Sequence, residues 1–233
     1  MTILWACVRL AAAALGTVAL ARQFSLTLAG ALDAATPWAS HVPTVMTNFF
    51  SYFTILSNLL AAVSLAIGGV WLLRHRRARV REPAWLAVLL VCAATYMIVT
   101  GIVYNVLLRK ILVVGFTDTW TNETLHVIIP LVMLADVLFA PHRRALPYPA
   151  LGYVVAFPLA WAAYTLLRAD HVTGPATGNP WWYPYPFLDP HLQGGYAGVV
   201  PYIVGIAAVV VLLGAVIIQV GRWRAAPALS PRR

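Results

Sequence analysis

The sequence predicts an all-helical membrane protein built as a bundle of six transmembrane helices joined by short loops. Hydrophobic residues make up 61% of the 233 residues, and charged residues make up only 10%. The mean hydropathy is +0.80. A soluble domain carries about a quarter charged residues, and one crossing takes roughly 20 residues. The composition and length therefore predict a single polytopic membrane domain that covers residues 1–233.

Six apolar stretches are long enough to be these spans. The first is the longest and contains Arg22 and Gln23, so we expect it to tilt or to continue along the membrane surface. The predicted spans are 3–30, 47–73, 84–108, 122–140, 149–167 and 196–220.

The connection between spans five and six contains a segment rich in proline and aromatic residues, Gly178 to His191. Proline opposes a regular helix, and aromatic rings favour the headgroup level of a membrane. This composition predicts a loop on the outer side that acts either as a lid over a cavity or as an interfacial anchor.

The arginines predict the orientation, because short loops rich in Lys and Arg stay on the cytoplasmic side. If the six spans alternate, three arginine-rich segments share one face, and both termini are predicted to be cytoplasmic. These segments contain Arg74, Arg76, Arg77, Arg79 and Arg81, then Arg143 and Arg144, then Arg222, Arg224, Arg232 and Arg233.

The net charge of +9 raises the question of a nucleic-acid partner. The arginines are spread over separate loops, however, and no recognisable RNA- or DNA-binding module lies between them. We therefore expect the positive charge to contact anionic headgroups of the lipid bilayer and expect no nucleic-acid partner.

Span two carries a polar stripe in which Asn48, Ser51, Thr54 and Asn58 recur every three or four residues. This spacing places them on one helix face, which we expect to point into the bundle. Thr54 lies roughly 10 Å below the outer end of its span, and His126 enters span four from the same side. A threonine hydroxyl needs a base, which a neutral imidazole provides near pH 7. Thr54 and His126 are thus a candidate nucleophile and base, with ordinary polar packing as the alternative.

Further polar groups lie at the level of this pair. Arg22, Tyr104 and Asn105, together with Asn58, are candidates for holding the developing anion of an ester or a fatty carboxylate. Anchoring at the membrane interface is the alternative role for each of them. Pro130 lies four residues after His126 and predicts a bend at the histidine.

Three motifs resemble a known family. Phe-Thr-x-x-Ser-Asn at 53–58, Leu-His-x-x-x-Pro-Leu at 125–131 and Trp-Tyr-Pro-Tyr-Pro-Phe-Leu-Asp at 182–189 look like the bacterial Pr6Pr branch of the androgen-induced/FAR-17a-like membrane proteins. The resemblance implies a multi-pass protein of the bacterial plasma membrane. It also implies a threonine hydrolase that cleaves fatty acid esters of hydroxy fatty acids, with the two catalytic roles on Thr54 and His126 and no metal or other cofactor.

Two other classes of function remain open at this stage. Glu123 and His126 have the Glu-x-x-His spacing of di-iron bundles, but the chain has only Glu82 as a further glutamate. The other class is a non-enzymatic protein that binds or transports a lipid. The sequence has no inverted repeat, which argues against transport, whereas binding without cleavage stays an alternative.

Overall fold

The structure is a computed structural model that describes residues 1–78, 80–110 and 118–225. Within these ranges the chain is all-helical, as the sequence predicts, and six helical segments are long and apolar enough to cross a membrane. The α-helices are α1 (Thr2–Leu32), α2 (Val42–Phe49), α3 (Phe53–Arg74), α4 (Ala84–Val103), α5 (Thr119–Glu123), α6 (Ile129–Phe139), α7 (Leu151–Arg168) and α8 (Tyr196–Ala225).

The helix boundaries differ most from the prediction in the second span. The predicted span 47–73 is divided, because α2 ends at Phe49 and α3 begins at Phe53, with Tyr52 in an extended conformation between them. In contrast, α1 continues through Arg22 over 31 residues. At 1.5 Å per residue such a helix exceeds the roughly 30 Å of a hydrocarbon core, so it must tilt or extend beyond the membrane.

Two π-helical turns interrupt the regular helices. One follows α4 at Tyr104–Leu108, and the other joins α5 to α6 at Thr124–Ile128. The second lies directly before Pro130, whose ring cannot donate a hydrogen bond and crowds the carbonyl of residue 126. Single π-turns of this kind are frequent at functional sites.

The long helices alternate in direction, which gives the bundle two ends. We call the end with both helix termini, residues 2 and 225, the terminal end. There Thr2 Oγ1 lies 3.4 Å from His142 Nε2, and Arg81 donates to the carbonyl of Ala225. The opposite end, which carries the loop between α7 and α8, is the loop end. Arg79, Arg232 and Arg233 lie outside the described residues.

Close helix contacts rely on small residues. A Cβ added at Gly69 of α3 would lie 2.8 Å from Leu10 Cγ and 3.2 Å from the Ala6 carbonyl oxygen, both on α1. A Cβ added at Gly101 of α4 would lie 3.0 Å from Pro130 Cβ. Because lipid is as apolar as leucine, membrane helices associate through this tight packing and through polar contacts.

Candidate functional site

An apolar cavity of about 100 Å³ lies at the loop end. This volume is several times the roughly 10–15 Å³ that one water molecule needs. Helices α3, α4, α7 and α8 form its walls, which are mostly aliphatic and aromatic. The lining side chains include Phe53, Val103, Trp161, Ile203 and Ile206.

The loop between α7 and α8 covers this cavity. Tyr185, Phe187 and Leu188 line it from the loop side and are themselves buried. The rings of Tyr185 and Phe187 stack with their centroids 5.2 Å apart, and Tyr52 meets Tyr185 edge-on at 5.8 Å. The loop is therefore packed onto the bundle by aromatic contacts.

Thr54 supplies the polar edge of the cavity. It lies in the first turn of α3, where its backbone N–H donates to the Tyr185 hydroxyl oxygen at 3.2 Å. Its side-chain hydroxyl lies 3.3 Å from the same oxygen. The helix has no cap from its own N-cap side chain, so Tyr185 satisfies a free N–H group that the first turn would otherwise leave unpaired.

The Tyr185 phenol remains a neutral hydroxyl at physiological pH. Burial raises the pKa of Tyr185, and the hydrogen bonds with Thr54 oppose this change only in part. Burial also raises the pKa of Tyr52 to about 12, with a further contribution from Tyr185. The cap of α3 is therefore an uncharged hydroxyl group.

His126 lies in the π-turn that precedes α6. Its Nδ1 is 2.9 Å from the carbonyl oxygen of Asn122. A carbonyl only accepts, so Nδ1 carries the proton and Nε2 keeps its lone pair. The imidazole stacks on the Tyr104 ring at a centroid distance of 4.0 Å. Because Tyr104 also lines the cavity, its side chain contacts both the cavity and the candidate base.

Asn58 joins the Thr54 and His126 segments. Its buried amide nitrogen donates to the Thr54 carbonyl oxygen at 2.9 Å and to the Leu125 carbonyl oxygen at 3.1 Å. The Thr54 hydroxyl and the His126 imidazole are not hydrogen-bonded to each other within the described residues. The hydroxyl faces Tyr185, and Nδ1 faces Asn122.

The polar stripe predicted on span two faces the interior. Asn48, Ser51, Thr54 and Asn58 are all buried, although Asn48 lies on α2 because of the helix break. Ser51 Oγ lies 3.1 Å from the Tyr164 hydroxyl. This contact joins the segment between α2 and α3 to α7 and is an interhelical hydrogen bond of the kind that the stripe also predicts.

The remaining predicted site residues lie in an ionic network at the loop end. Arg22 donates to Asp118 at 2.9 Å. Asn105 donates to the Gly101 carbonyl at 2.7 Å and accepts from Arg109 at 2.8 Å, and Arg109 pairs with Glu123 at 2.8 Å. Arg22 and Asn105 do not line the cavity.

The carboxylate of the candidate metal motif is engaged in this network, because Glu123 pairs with Arg109. Among residues 1–78, 80–110 and 118–225, no group of three or more His, Cys, Asp or Glu side chains is arranged to hold a metal ion.

Sequence reasoning did not assign two features of this site. The first is Tyr185 as the partner of Thr54, 131 residues away, for which the Tyr-Pro-Tyr-Pro-Phe run was the available signal. The second is the pair of π-turns that bring Tyr104 and His126 together. Pro130 predicts an irregularity near His126 but gives no information about Tyr104.

Comparisons with protein-family models, with curated proteins and with solved structures returned no match for this chain.

Proposed function

We propose that this membrane protein takes the acyl chain of a lipid into the loop-end cavity and cleaves the ester at the head of that chain. The observation that carries the proposal is the position of Thr54. Its hydroxyl stands at the edge of a mostly apolar cavity, on the first turn of a helix whose N–H groups suit a developing anion. Thr54 also belongs to the first of the three motifs that resemble the threonine hydrolase family.

The mostly apolar lining of the cavity supports an acyl lipid as the class of substrate. Ligand cavities are lined mainly by apolar groups, with a few polar groups that fix orientation. Here Thr54, Thr100, Tyr104 and Tyr185 are the lining side chains with polar atoms, apart from the Trp161 indole. An acyl chain would occupy the apolar part, and its ester carbonyl would lie at Thr54, where it would replace the Tyr185 hydroxyl as the acceptor of the Thr54 N–H.

In the proposed reaction His126 Nε2 removes the proton of the Thr54 hydroxyl, and the oxygen attacks the ester carbonyl carbon. The alcohol leaves with a proton from the imidazole, and water then hydrolyses the acyl-threonine to release the fatty acid. Because the two groups are not hydrogen-bonded to each other, substrate binding must bring them together directly or through one water molecule. Such contacts often tighten only in the substrate complex.

The proposed reaction requires no metal ion and no other cofactor. The Thr54 hydroxyl is the nucleophile, His126 moves the proton, and first-turn N–H groups of α3 hold the oxyanion. Asn58 positions the two segments through its bonds to the Thr54 and Leu125 carbonyls.

A second candidate is lipid binding without cleavage. It is favoured by one observation: the Thr54 hydroxyl is paired with Tyr185 and not with His126. In this case the cavity holds an acyl chain, and Thr54 serves only to bind its head.

A fluorophosphonate probe with an alkyl chain distinguishes the two candidates. In membranes containing the protein, we expect covalent labelling that is lost in Thr54→Val and in His126→Gln and partly kept in Thr54→Ser. Thr100→Val is the matched control, since Thr100 also lines the cavity and its hydroxyl contacts Ser57 at 3.1 Å. Full ester cleavage by folded Thr54→Val would rule out Thr54 as the nucleophile and with it the proposed mechanism. If the native protein shows neither ester cleavage nor covalent labelling, but a photoreactive fatty acid labels both it and Thr54→Val, the result supports binding alone.

We further infer that the terminal end faces the cytoplasm of a bacterial cell. Most described arginines of the interhelical loops and helix ends lie at that end, as the distribution of positive charge in membrane proteins requires for a cytoplasmic face. The Thr54 cavity would then open toward the outer leaflet.

A further inference from the structure

A second cavity lies at the terminal end of the bundle, whereas Thr54 lies at the loop end. Its volume is about 400 Å³, and four basic side chains line it: Arg81, His142, Arg143 and Arg224. Arg81 and Arg224 are exposed at its rim, whereas Arg143 is buried. The cavity is therefore open to the surroundings, and its lining includes one buried arginine.

Arg143, one of the residues that line the cavity, has an unused donor. The residue is 8% exposed, and its Nη2 donates to Asp136 Oδ2 at 3.0 Å. Its Nε is buried without a hydrogen-bond partner among the described residues. A buried charged donor without an acceptor is unfavourable, so an acceptor supplied by a ligand would complete the site.

The two rim arginines are held in place by backbone carbonyls. Arg224 donates from Nη1 to the Val137 oxygen and from Nη2 to the Ala140 oxygen, both at 2.7 Å. Arg81 donates from Nη2 to the carbonyl oxygen of Ala225. A guanidinium has five N–H donors, so each keeps donors that these contacts do not use. The side chains are thus oriented before any ligand arrives.

Positive charge exceeds negative charge around this cavity in the described part of the chain. Asp136 is shared between Arg9 and Arg143. Glu82 is buried nearby, and burial raises its pKa, although Arg143 and Arg9 act in the opposite direction. Arg81 and Arg224 form no direct ion pair with a carboxylate among the described residues, although Asp136 and Glu82 act on Arg224 electrostatically. Both arginines therefore provide charge for an external anion.

We propose that the cavity lined by Arg81, Arg143 and Arg224 binds a phosphate group. Arginine recognises phosphate through parallel N–H donors, and the cavity lies at a membrane-surface end of the bundle, where phospholipid headgroups are present. The phosphate comes either from an anionic phospholipid or from free inorganic phosphate. The site uses none of the residues of the Thr54 cavity, so it does not depend on the proposed hydrolase activity.

Calorimetric titration of the full-length protein in a non-ionic detergent tests the site with three probes: dihexanoyl phosphatidylglycerol, dihexanoylglycerol and inorganic phosphate. We expect phosphatidylglycerol to bind and Arg224→Gln to raise its Kd about tenfold, as loss of a charge-assisted hydrogen bond implies. Arg222→Gln is the matched control. It removes the same charge two positions away on α8, where Arg222 lies over the Tyr148 ring outside the cavity.

The probes separate the two sources of phosphate. Binding of inorganic phosphate with the same dependence on Arg224 would identify the phosphate group alone as the ligand, whereas binding of phosphatidylglycerol only would identify a lipid headgroup site. The proposal fails if phosphatidylglycerol binds no better than dihexanoylglycerol and inorganic phosphate does not bind, or if the Arg224 and Arg222 variants behave alike. If Arg224→Gln does not fold, Arg81→Gln is used with the same expected result.

Discussion

Arg9 and Asp136 are 127 residues apart in the sequence and form a buried, two-bond ion pair. Arg9 Nε lies 2.7 Å from Asp136 Oδ1, and Arg9 Nη2 lies 3.0 Å from Oδ2. Both side chains are 0% exposed. Arg143 adds a third bond to the same carboxylate. One aspartate therefore neutralises charge from α1 and from the segment after α6, which ties these elements together at the terminal end.

The first prediction concerns this carboxylate. Asp136→Asn leaves Arg9 and Arg143 buried without a counter-charge, and breaking a buried pair from one side costs about 3–5 kcal/mol. We expect a large fall in the unfolding temperature of the protein in detergent. Glu123→Gln is the control, because its pair with Arg109 is partly exposed and surface pairs contribute little. Equal stability of the two variants would show that the Asp136 pairs are unimportant for the fold.

The second prediction concerns the contact between α1 and α3. Gly69→Ala places a methyl group 2.8 Å from Leu10 Cγ and 3.2 Å from the Ala6 oxygen. The backbone oxygen cannot move without moving α1, so we expect destabilisation of about 1–3 kcal/mol from overpacking. Gly205→Ala on α8 meets no atom within 4 Å and should be neutral or slightly stabilising. Thermal unfolding of both variants in one detergent provides the measurement.

The helical spans were predictable because each corresponds to one continuous stretch of mostly apolar residues. The spacing of Asn48, Ser51, Thr54 and Asn58 likewise predicts a buried face, since it depends only on helix periodicity. The divided second span was not predicted. Apolar character continues through Phe49 and Phe50, and the break depends on backbone angles that hydropathy does not report.

The hydrogen-bond and ion-pair partners of the buried polar groups could not be predicted from local sequence patterns. Thr54 meets Tyr185, and Arg9 meets Asp136, across 131 and 127 positions. Which polar groups meet inside a bundle depends on how the helices rotate and slide against each other, and the sequence of one helix does not fix this. The sequence therefore predicts Thr54 and His126 as neighbours at one level but not their actual hydrogen-bond partners.

The third prediction is a loss of stability in alkaline solution. The pKa of Tyr52 rises from 10.0 to about 12, so the folded protein holds this proton more tightly than the unfolded chain does. The corresponding stabilisation is fully present below pH 10 and is lost as the pH rises toward 12. Denaturant unfolding at a series of pH values should show this decline, and Tyr52→Phe should reduce it. An unchanged pH profile in that variant would argue against the assignment to Tyr52.

The fourth prediction concerns the membrane topology. Cys7 is an exposed free cysteine and is first replaced by serine. In this background, Ala78→Cys should react with an impermeant maleimide only after the cytoplasmic face is exposed, because Ala78 lies in the arginine-rich turn after α3. Ala176→Cys, in the loop between α7 and α8, should react from outside intact cells. Both positions are exposed. The reverse labelling pattern would invert the orientation proposed for the bundle.

The last prediction concerns the link between the candidate nucleophile and base. Asn58→Asp keeps the size of the side chain but replaces its donor with a group that repels the Thr54 and Leu125 carbonyls when ionised. Losing buried hydrogen bonds in this way costs roughly 1–3 kcal/mol, and fluorophosphonate labelling of Thr54 should fall by more than the loss of folded protein. Asn105→Asp is the matched control. Asn105 also donates to the carbonyl four residues earlier, but it is exposed, and a carboxylate there would strengthen its contact with Arg109. If both variants keep full labelling per folded molecule, Asn58 does not position the site.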